Sequence, residues 1–166
     1  MALEARENDT TGNPLDRVER LAEAYEWAVS RTNAREVMMA VSGGWSDMTL
    51  TLNWQEDFEI LHVAASLDLK VPAARREETA KLIARINEQL LVGHFDLWHA
   101  DGSLLFRNSL LLSGQATAND AQCEALIRSA IEAAERYFPA VQFVVWAGQN
   151  AAEALEAAMI DTWGEA

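Results

Sequence analysis

The fold is decided by residues 72–112, which read PAARREETAKLIARINEQLLVG and then HFDLWHADGSLLFRNSLLL. The first part has leucine and isoleucine residues at helical spacing and ends at Gly93, a residue type that commonly caps helices in the left-handed conformation. The second part alternates polar and apolar residues around Asp101-Gly102, the strongest turn signal in the chain. The stretch therefore predicts a helix that is followed directly by a tight β-hairpin.

A two-residue turn at Asp101-Gly102 would fix the register of this hairpin. It places Phe95 and His99 on the core side, and it places Asp96 directly opposite Arg107 on the other side. We expect those two side chains to form a cross-strand ion pair worth ~0.2–1 kcal/mol. A structure with the two side chains on opposite faces of the sheet would contradict the register.

The chain before this hairpin begins with a polar arm, residues 1–12, which lacks periodicity and is predicted to be disordered. Residues 13–166 are predicted to form a single domain. Asn13-Pro14 begins its first helix, because asparagine caps helices well and proline is tolerated at the first helical position. Apolar residues at helical spacing continue to Val29, so we expect this helix to end near Arg31.

Three strands follow in a predicted antiparallel meander. Gly43-Gly44 suits a two-residue turn that pairs Met39 with Met48. A looser turn at residues 55–57 leads to a third strand. One face of the meander carries the core residues of the three strands: Val37, Met39, Val41, Met48, Leu50, Leu52, Leu61, Val63, Ala65 and Leu67.

The end of the chain is predicted to be helical. Thr117 with Asp120 resembles a capping box at the start of a long helix, and Pro139 is expected to kink or interrupt that helix. Asn150 caps a short last helix over residues 151–162. The predicted fold is thus α+β, with the order α-β-β-β-α-β-β-α, an antiparallel sheet and a short extra C-terminal helix.

Composition restricts the partners. The 166 residues carry a formal net charge of -13, which opposes binding to nucleic acid or to an anionic membrane surface. The charge suits a basic or hydrophobic protein partner, although acidic surfaces often serve solubility alone. Cys123 is the only cysteine, and the N-terminal residues lack the apolar run of a signal peptide. We therefore expect a cytoplasmic protein with no nucleic acid and no membrane partner.

A search for chemistry predicts no catalytic, cofactor-binding or metal site. His94, Asp96 and His99 look like ligands, but on a strand His94 and Asp96 share one face while His99 points to the other. Gly43-Gly44 lacks the context of a phosphate-binding loop. His62 lies on another strand, with no third ligand evident. We expect no cofactor and no enzyme activity.

The second face of the sheet offers a candidate surface instead. Tryptophan is favoured at interfaces because it combines a large apolar area with a hydrogen-bond donor. Three of the six tryptophans lie in or next to core stripes: Trp27, Trp54 and Trp146. The possible protein-interaction surface consists of other residues: Trp45, Phe58, Ile60, Trp98 and Leu105. The alternative is that these residues are the scattered exposed hydrophobics of an ordinary monomer.

The element order, together with INEQLLVGHFDLWHADGSLLFRNSLLL (86–112) and YFPAVQFVVWAG (137–148), resembles the YbjN-type family of bacterial proteins. The positions that carry the resemblance are Asn87, Gly93, Phe95, Phe106, Arg107, Phe138, Pro139 and Trp146. The resemblance implies a type III secretion chaperone-like fold that is usually dimeric and has no catalytic residues to carry over. Members of the family are often labelled sensory transduction regulators.

Two functions of different classes are compatible with these observations. The favoured one is a non-enzymatic cytoplasmic protein-interaction module, a homodimer with an unidentified protein partner, chaperone-like or regulatory in bacterial signalling or stress response. The alternative is a small-molecule-binding protein or an enzyme with an unrecognised site, for which a deep pocket near His62, His94 or His99 would be evidence.

Overall fold

The computed structural model describes residues 12–163. Four helices in this range lie on one face of a six-stranded antiparallel sheet. The elements in chain order are α1 (Pro14–Ala24), β1 (Ala28–Asn33), β2 (Glu36–Ser42), β3 (Asp47–Gln55), β4 (Ile60–Lys70), α2 (Arg76–Gln89), β5 (His94–Leu97), β6 (Ser103–Leu111), α3 (Asp120–Val145) and α4 (Ala151–Trp163). The strand order is β1-β2-β3-β4-β6-β5, so the prediction of an α+β fold with an antiparallel sheet is confirmed.

The core lies between the sheet and the helices. Every second residue of β2, β3 and β4 is buried there, as the alternation in the sequence predicts. α1 and α3 cover the middle of the sheet, while α2 packs against β5 and α4 packs against α2 and α3. No described helix covers the opposite side of the sheet, which we call the open face.

The first helix is shorter than predicted, and an additional strand follows it. α1 ends at Ala24 instead of near Arg31, and residues 28–33 form the edge strand β1. The chain turns at Glu26, whose φ of 58° is left-handed. Val29 is partly buried on this strand, opposite Met39. The predicted element order therefore lacked one strand.

Both predicted hairpin registers were wrong by two residues. Met39 pairs with Leu50 instead of Met48, because the loop between β2 and β3 contains four residues, 43–46. Phe95 pairs with Phe106 because the loop between β5 and β6 spans residues 98–102. A shift of two keeps the paired side chains on their predicted faces. The ion pair between Asp96 and Arg107 is accordingly confirmed, with 3.0 Å between Arg107 Nη1 and Asp96 Oδ2, although the two residues lie diagonally. The prediction for His99 was wrong, because this residue is exposed in the loop instead of lying on the core side of a strand.

Three predicted helix features were also wrong. The capping box of α3 is formed by Asn119 and Gln122 instead of Thr117 and Asp120. The helix α3 is not interrupted at Pro139, because it continues through this buried residue; the alternative prediction of a kink there stays a prediction. α2 ends at Gln89, so Gly93 (φ 69°) lies in the loop before β5 and is not the helix cap.

The predictions for the two ends of the chain had different outcomes. α4 begins as expected, since the N–H of Glu153 donates to Asn150 Oδ1 at 2.9 Å. Apart from Gly12, the predicted disordered arm, residues 1–12, lies outside the described residues.

Candidate interaction surfaces

The five residues predicted as an interaction surface fall in three parts of the structure. Trp45 is 52% exposed in the loop between β2 and β3. Phe58, which is 71% exposed, precedes Ile60 at the start of β4. Trp98 is 51% exposed in the loop between β5 and β6, and Leu105 of β6 is only 9% exposed. The structure does not bring these side chains together into one continuous patch.

Trp45 instead belongs to an aromatic surface that the sequence did not reveal. Phe138 of α3 lines a shallow depression together with Trp45. On the same phenylalanine, the Trp146 ring packs edge-to-face, with 6.3 Å between centroids and an interplanar angle of 87°. Trp146 was expected near the core, but it is 64% exposed. Phe138 itself is buried, with 3% of its surface exposed, so we call the two exposed rings beside it, Trp45 and Trp146, the aromatic surface.

The loop that carries Trp45 is fixed to α3. The N–H of Gly44 donates to Glu135 Oε1 at 2.7 Å. A Cβ on Gly43 would lie 2.1 Å from the same carboxylate oxygen and 2.4 Å from the carbonyl oxygen of Ser46, so only glycine fits at this position. Trp45 is thereby held beside α3, and the Glu135 carboxylate is occupied by the loop backbone.

Trp146 is positioned by the end of α3. It is the C-cap residue of that helix. The guanidinium of Arg75 donates to the carbonyl oxygens of Val144 at 2.9 Å and Gln149 at 2.8 Å, which satisfies acceptors that the helix end leaves open. The indole therefore projects from a well-anchored helix end.

A polar cluster lies on the open face, where the notable residues are His62, His94, Asp96 and Arg107. Arg107 Nε donates to His62 Nε2 at 3.2 Å, and His94 Nε2 lies 3.4 Å from Asp96 Oδ2. Burial lowers the pKa of His62, and the charges of Arg107 and His94 lower it further. Among the described residues, no three His, Cys, Asp or Glu side chains are arranged to hold a metal ion.

A cleft of about 380 Å³ lies between α1 and the loop before α3. Its lining includes Arg20, Trp54 and Glu59. The Glu59 carboxylate accepts hydrogen bonds from the N–H groups of Gly114 at 2.9 Å and Gln115 at 2.8 Å, which shapes the cleft wall. Arg20 forms no ion pair with any residue in the described range, whereas Arg17 beside it is paired with Asp120.

Taken together, these features are typical of an α+β domain whose surface presents aromatic residues rather than an assembled reaction centre. The chain belongs to the YbjN family, whose profile matches residues 14–143 and carries the description "Putative bacterial sensory transduction regulator". The family resemblance carried by residues 86–112 and 137–148 is therefore confirmed. The family description is that of a regulator and names no reaction.

The fold is shared with solved structures. One of them is the crystal structure of YbjN from E. coli, described as "a putative transcription regulator". The two chains are 13% identical, and the TM-score is 0.55 over 76% of this chain and 87% of that chain. No curated protein matches the chain. The likeness to type III secretion chaperones stays a prediction.

None of the helices in residues 12–163 combines the length and the apolar character that crossing a bilayer requires.

Proposed function

We propose that this chain is a non-enzymatic protein-interaction module of bacterial regulation in the cytoplasm, and that it forms a homodimer through the aromatic surface. One observation carries the proposal: Trp45 and Trp146 are each more than half exposed and both contact or border Phe138. Exposed aromatic area of this kind is a typical protein-binding feature, since its removal from water is strongly favourable. Chaperone-like and regulatory roles both work by such contacts.

The occupant that we propose for this surface is a second copy of the chain. Each copy carries a formal net charge of -13, so two copies repel each other over most of their surfaces. Contact is favoured where uncharged residues meet, and the two exposed residues of the aromatic surface, Trp45 and Trp146, are uncharged. A two-fold interface would bring the same patch from both copies together, which doubles the apolar area buried.

Regulation through protein contact also agrees with the charge. E. coli YbjN is described as "a putative transcription regulator". Direct DNA binding needs clustered lysine and arginine to neutralise phosphates, whereas residues 137–166 of this chain contain neither residue type. A role in transcription would therefore be exerted through a protein partner.

Sedimentation velocity at increasing concentration tests the dimer. We expect the wild type to be dimeric and the double variant Trp45→Ala/Trp146→Ala to be monomeric with an unchanged circular dichroism spectrum. Trp98→Ala is the matched control, because Trp98 is equally exposed but lies in a different loop. A monomeric wild type, or a double variant that dimerises as well as Trp98→Ala does, would contradict the proposal.

The cleft beside α1 supports a second candidate function, the binding of a small anionic molecule. Its volume of about 380 Å³ lies within the ~300–1,000 Å³ range of small-molecule sites. Arg20, which forms no ion pair with a described residue, provides a positive charge for an anionic group, and Trp54 provides an apolar wall. Asp16, Glu56 and Glu59 also line the cleft and restrict the anion to the Arg20 side. Thermal stabilisation by anionic metabolites that is lost in Arg20→Ala would favour this function. Absence of any such stabilisation would count against it.

A further inference from the structure

The two edges of the sheet differ in how they are protected. An edge strand presents backbone N–H and C=O groups that no strand binds, and most proteins block such an edge with a short strand, a lysine, a proline or a covering element. In this structure the edge strands are β1 and β5. Only one of them is blocked.

The β5 edge is closed by a side chain of α2. The strand has four residues. The side-chain amide of Asn87 binds the backbone of Phe95 in both directions: Oδ1 accepts from the Phe95 N–H at 2.9 Å, and Nδ2 donates to the Phe95 carbonyl oxygen at 3.2 Å. These two bonds occupy the groups that an added strand would need.

The β1 edge is protected only at its C-terminal end, where the pairing with β2 is irregular between Arg31 and Asn33. The strand spans six residues, AVSRTN, without lysine or proline. The backbone of Ala28 to Thr32 has no hydrogen bonds in the described structure other than those with β2. Its exposed side chains are Ala28, Ser30, Thr32 and Asn33, of which the first three are too small to obstruct an approaching strand.

The one charged residue of β1 does not guard the edge either. Arg31 lies on the helix side of the sheet, where its Nη1 donates to Asp16 Oδ1 at 3.0 Å and to Glu19 Oε2 at 2.7 Å. The positive charge is thus neutralised by α1. Arg31 Nε and Nη2 donate to the carbonyl oxygens of Asn33 and Ala34, which occupies backbone groups only at the C-terminal end of the strand. An edge lysine or arginine protects only when its charge remains in the path of the incoming strand.

The charge next to β1 indicates what kind of strand it would accept. Glu23 and Glu26 are exposed just before the strand and form no ion pair with any described residue. The nearest arginine on α3, Arg128, is paired with Glu124 at 2.7 Å. The unpaired charge at this end of β1 is therefore negative.

Two stacked aromatic rings at the same end of β1 already attract a cation of this chain. Tyr25 and Trp27 stack with 4.9 Å between centroids and 24° between planes. Arg128 of this chain lies over both rings, 5.1 Å from the Tyr25 centroid and 6.0 Å from the Trp27 centroid. Such ring faces attract ammonium and guanidinium groups.

We propose that β1 is an acceptor edge, to which an extended, lysine- or arginine-rich segment of a partner protein adds as a further antiparallel strand. Backbone hydrogen bonds would supply affinity, and the carboxylates beside the strand would select a basic segment. A second copy in antiparallel pairing would place its own Glu23 and Glu26 beyond the other end of β1, so what disfavours it is the formal net charge of -13 that each copy carries. The acceptor edge goes beyond the proposed dimer, because it lies on other elements than the aromatic surface.

A designed peptide provides the probe. A peptide of about eight residues that alternates valine and lysine is long enough to pair with β1, since a strand rises ~3.4 Å per residue. Its affinity is measured by fluorescence anisotropy, beside a valine–glutamate peptide and a valine–lysine peptide that is N-methylated at alternate residues on its outward N–H groups. We expect only the unmodified valine–lysine peptide to bind, and to slow amide hydrogen exchange within residues 28–32.

Two lysine variants test whether the peptide binds at the β1 edge or elsewhere on the surface. Ser30→Lys places a charge on the edge strand and should weaken binding about tenfold or more through repulsion and obstruction. Ser109→Lys makes the same change on β6, whose residue is also exposed, and should leave binding nearly unchanged. Circular dichroism checks that both variants fold.

Several outcomes would overturn the acceptor edge. They are no binding to the wild type, equal binding of the N-methylated peptide, or exchange protection outside β1. Loss of the dimer in Ser30→Lys would show that a second copy occupies β1. Loss of the dimer in Trp45→Ala/Trp146→Ala with peptide binding retained would support both proposals separately.

Discussion

Gly93 and Gly114 adopt similar backbone conformations in very different surroundings. Their φ angles are 69° and 76°. A Cβ on Gly93 would lie 2.2 Å from Phe106 Cζ and 2.8 Å from the carbonyl oxygen of Arg107, whereas a Cβ on Gly114 would meet nothing within 4 Å. Alanine substitution at Gly114 therefore measures the cost of the left-handed conformation alone, and the same substitution at Gly93 adds the cost of steric overlap.

We expect Gly114→Ala to lower the free energy of unfolding by ~1–2 kcal/mol, the cost of a left-handed alanine. Gly93→Ala should lower it by a further ~1–3 kcal/mol, because Phe106 must move in a packed core. Urea unfolding followed by circular dichroism measures both. Equal losses in the two variants would mean that the loop before β5 shifts freely.

His62 makes the stability of the fold depend on pH. Its Nε2 accepts a hydrogen bond from Arg107, which requires the neutral ring, and burial together with Arg107 and His94 lowers its pKa below the ordinary 6.5. The folded state therefore binds fewer protons than the unfolded state when the pH falls through about 6.5. The contribution of His62 is fully present above that pH and decreases below it.

The substitution His62→Gln should reduce this pH dependence, because glutamine does not titrate. We expect the wild type to lose more stability than the variant between about pH 7.5 and about pH 5.5. Urea unfolding at the two pH values gives the comparison. An identical loss in both proteins would show that other groups cause the acid destabilisation.

At the scale of elements, the contribution of Asn87 can be isolated. Asn87→Ala removes both hydrogen bonds to the backbone of Phe95, and losing the partners of a polar group costs ~1–3 kcal/mol when water does not replace them. We expect lower stability and faster hydrogen exchange at the Phe95 amide. Glu88→Ala is the control on the exposed side of the same helix. Unchanged exchange in Asn87→Ala would mean that β5 is protected by other contacts.

The sequence was sufficient to predict which face of each helix and strand is buried, but it was not sufficient to predict where the elements end. Leu15, Val18 and Ala22 are buried as their helical spacing predicts. The end of α1 was missed because Glu26 takes a left-handed conformation, and glutamate, unlike glycine, does not signal one in sequence. Without that break, Val29 continues the helical stripe.

Loop lengths depended on contacts between distant residues. The loop after β2 is closed by the bond from Gly44 to Glu135 of α3. The loop after β5 is held by Arg76, whose Nη1 donates to the carbonyl oxygen of His99 at 2.9 Å. Neither contact is visible in a local pattern. The core was still predicted, because a register shift of two residues leaves each side chain on its face.

The aromatic surface was missed for a related reason. Trp146 follows Val144 and Val145 at a spacing that predicts a buried position. α3 ends at Val145, and Gly148 (φ 69°) redirects the chain into α4. The indole at the helix end is left in solvent. Whether a residue at the end of an apolar run is buried depends on the direction of the next element, which helical spacing does not contain.

At the scale of the molecule, the two proposed contacts differ in their physical origin. The formal net charge of -13 acts on both. Contact between two aromatic surfaces works against the repulsion of two acidic chains, while β1 attracts a basic segment through Glu23 and Glu26. Salt shortens the range of charge interactions, from about 10 Å at 0.1 M to about 3 Å at 1 M.

The two associations should therefore respond to salt in opposite directions. Between 0.1 M and about 1 M sodium chloride, we expect the dimer to become tighter because repulsion is screened, and the valine–lysine peptide to bind more weakly because attraction is screened. Sedimentation velocity and fluorescence anisotropy on the same preparation measure the two effects. Glu23→Gln/Glu26→Gln is the control: it should reduce the salt dependence of peptide binding and leave the dimer largely unchanged. A dimer that weakens with salt would place ion pairs at its interface, which the uncharged aromatic surface does not provide.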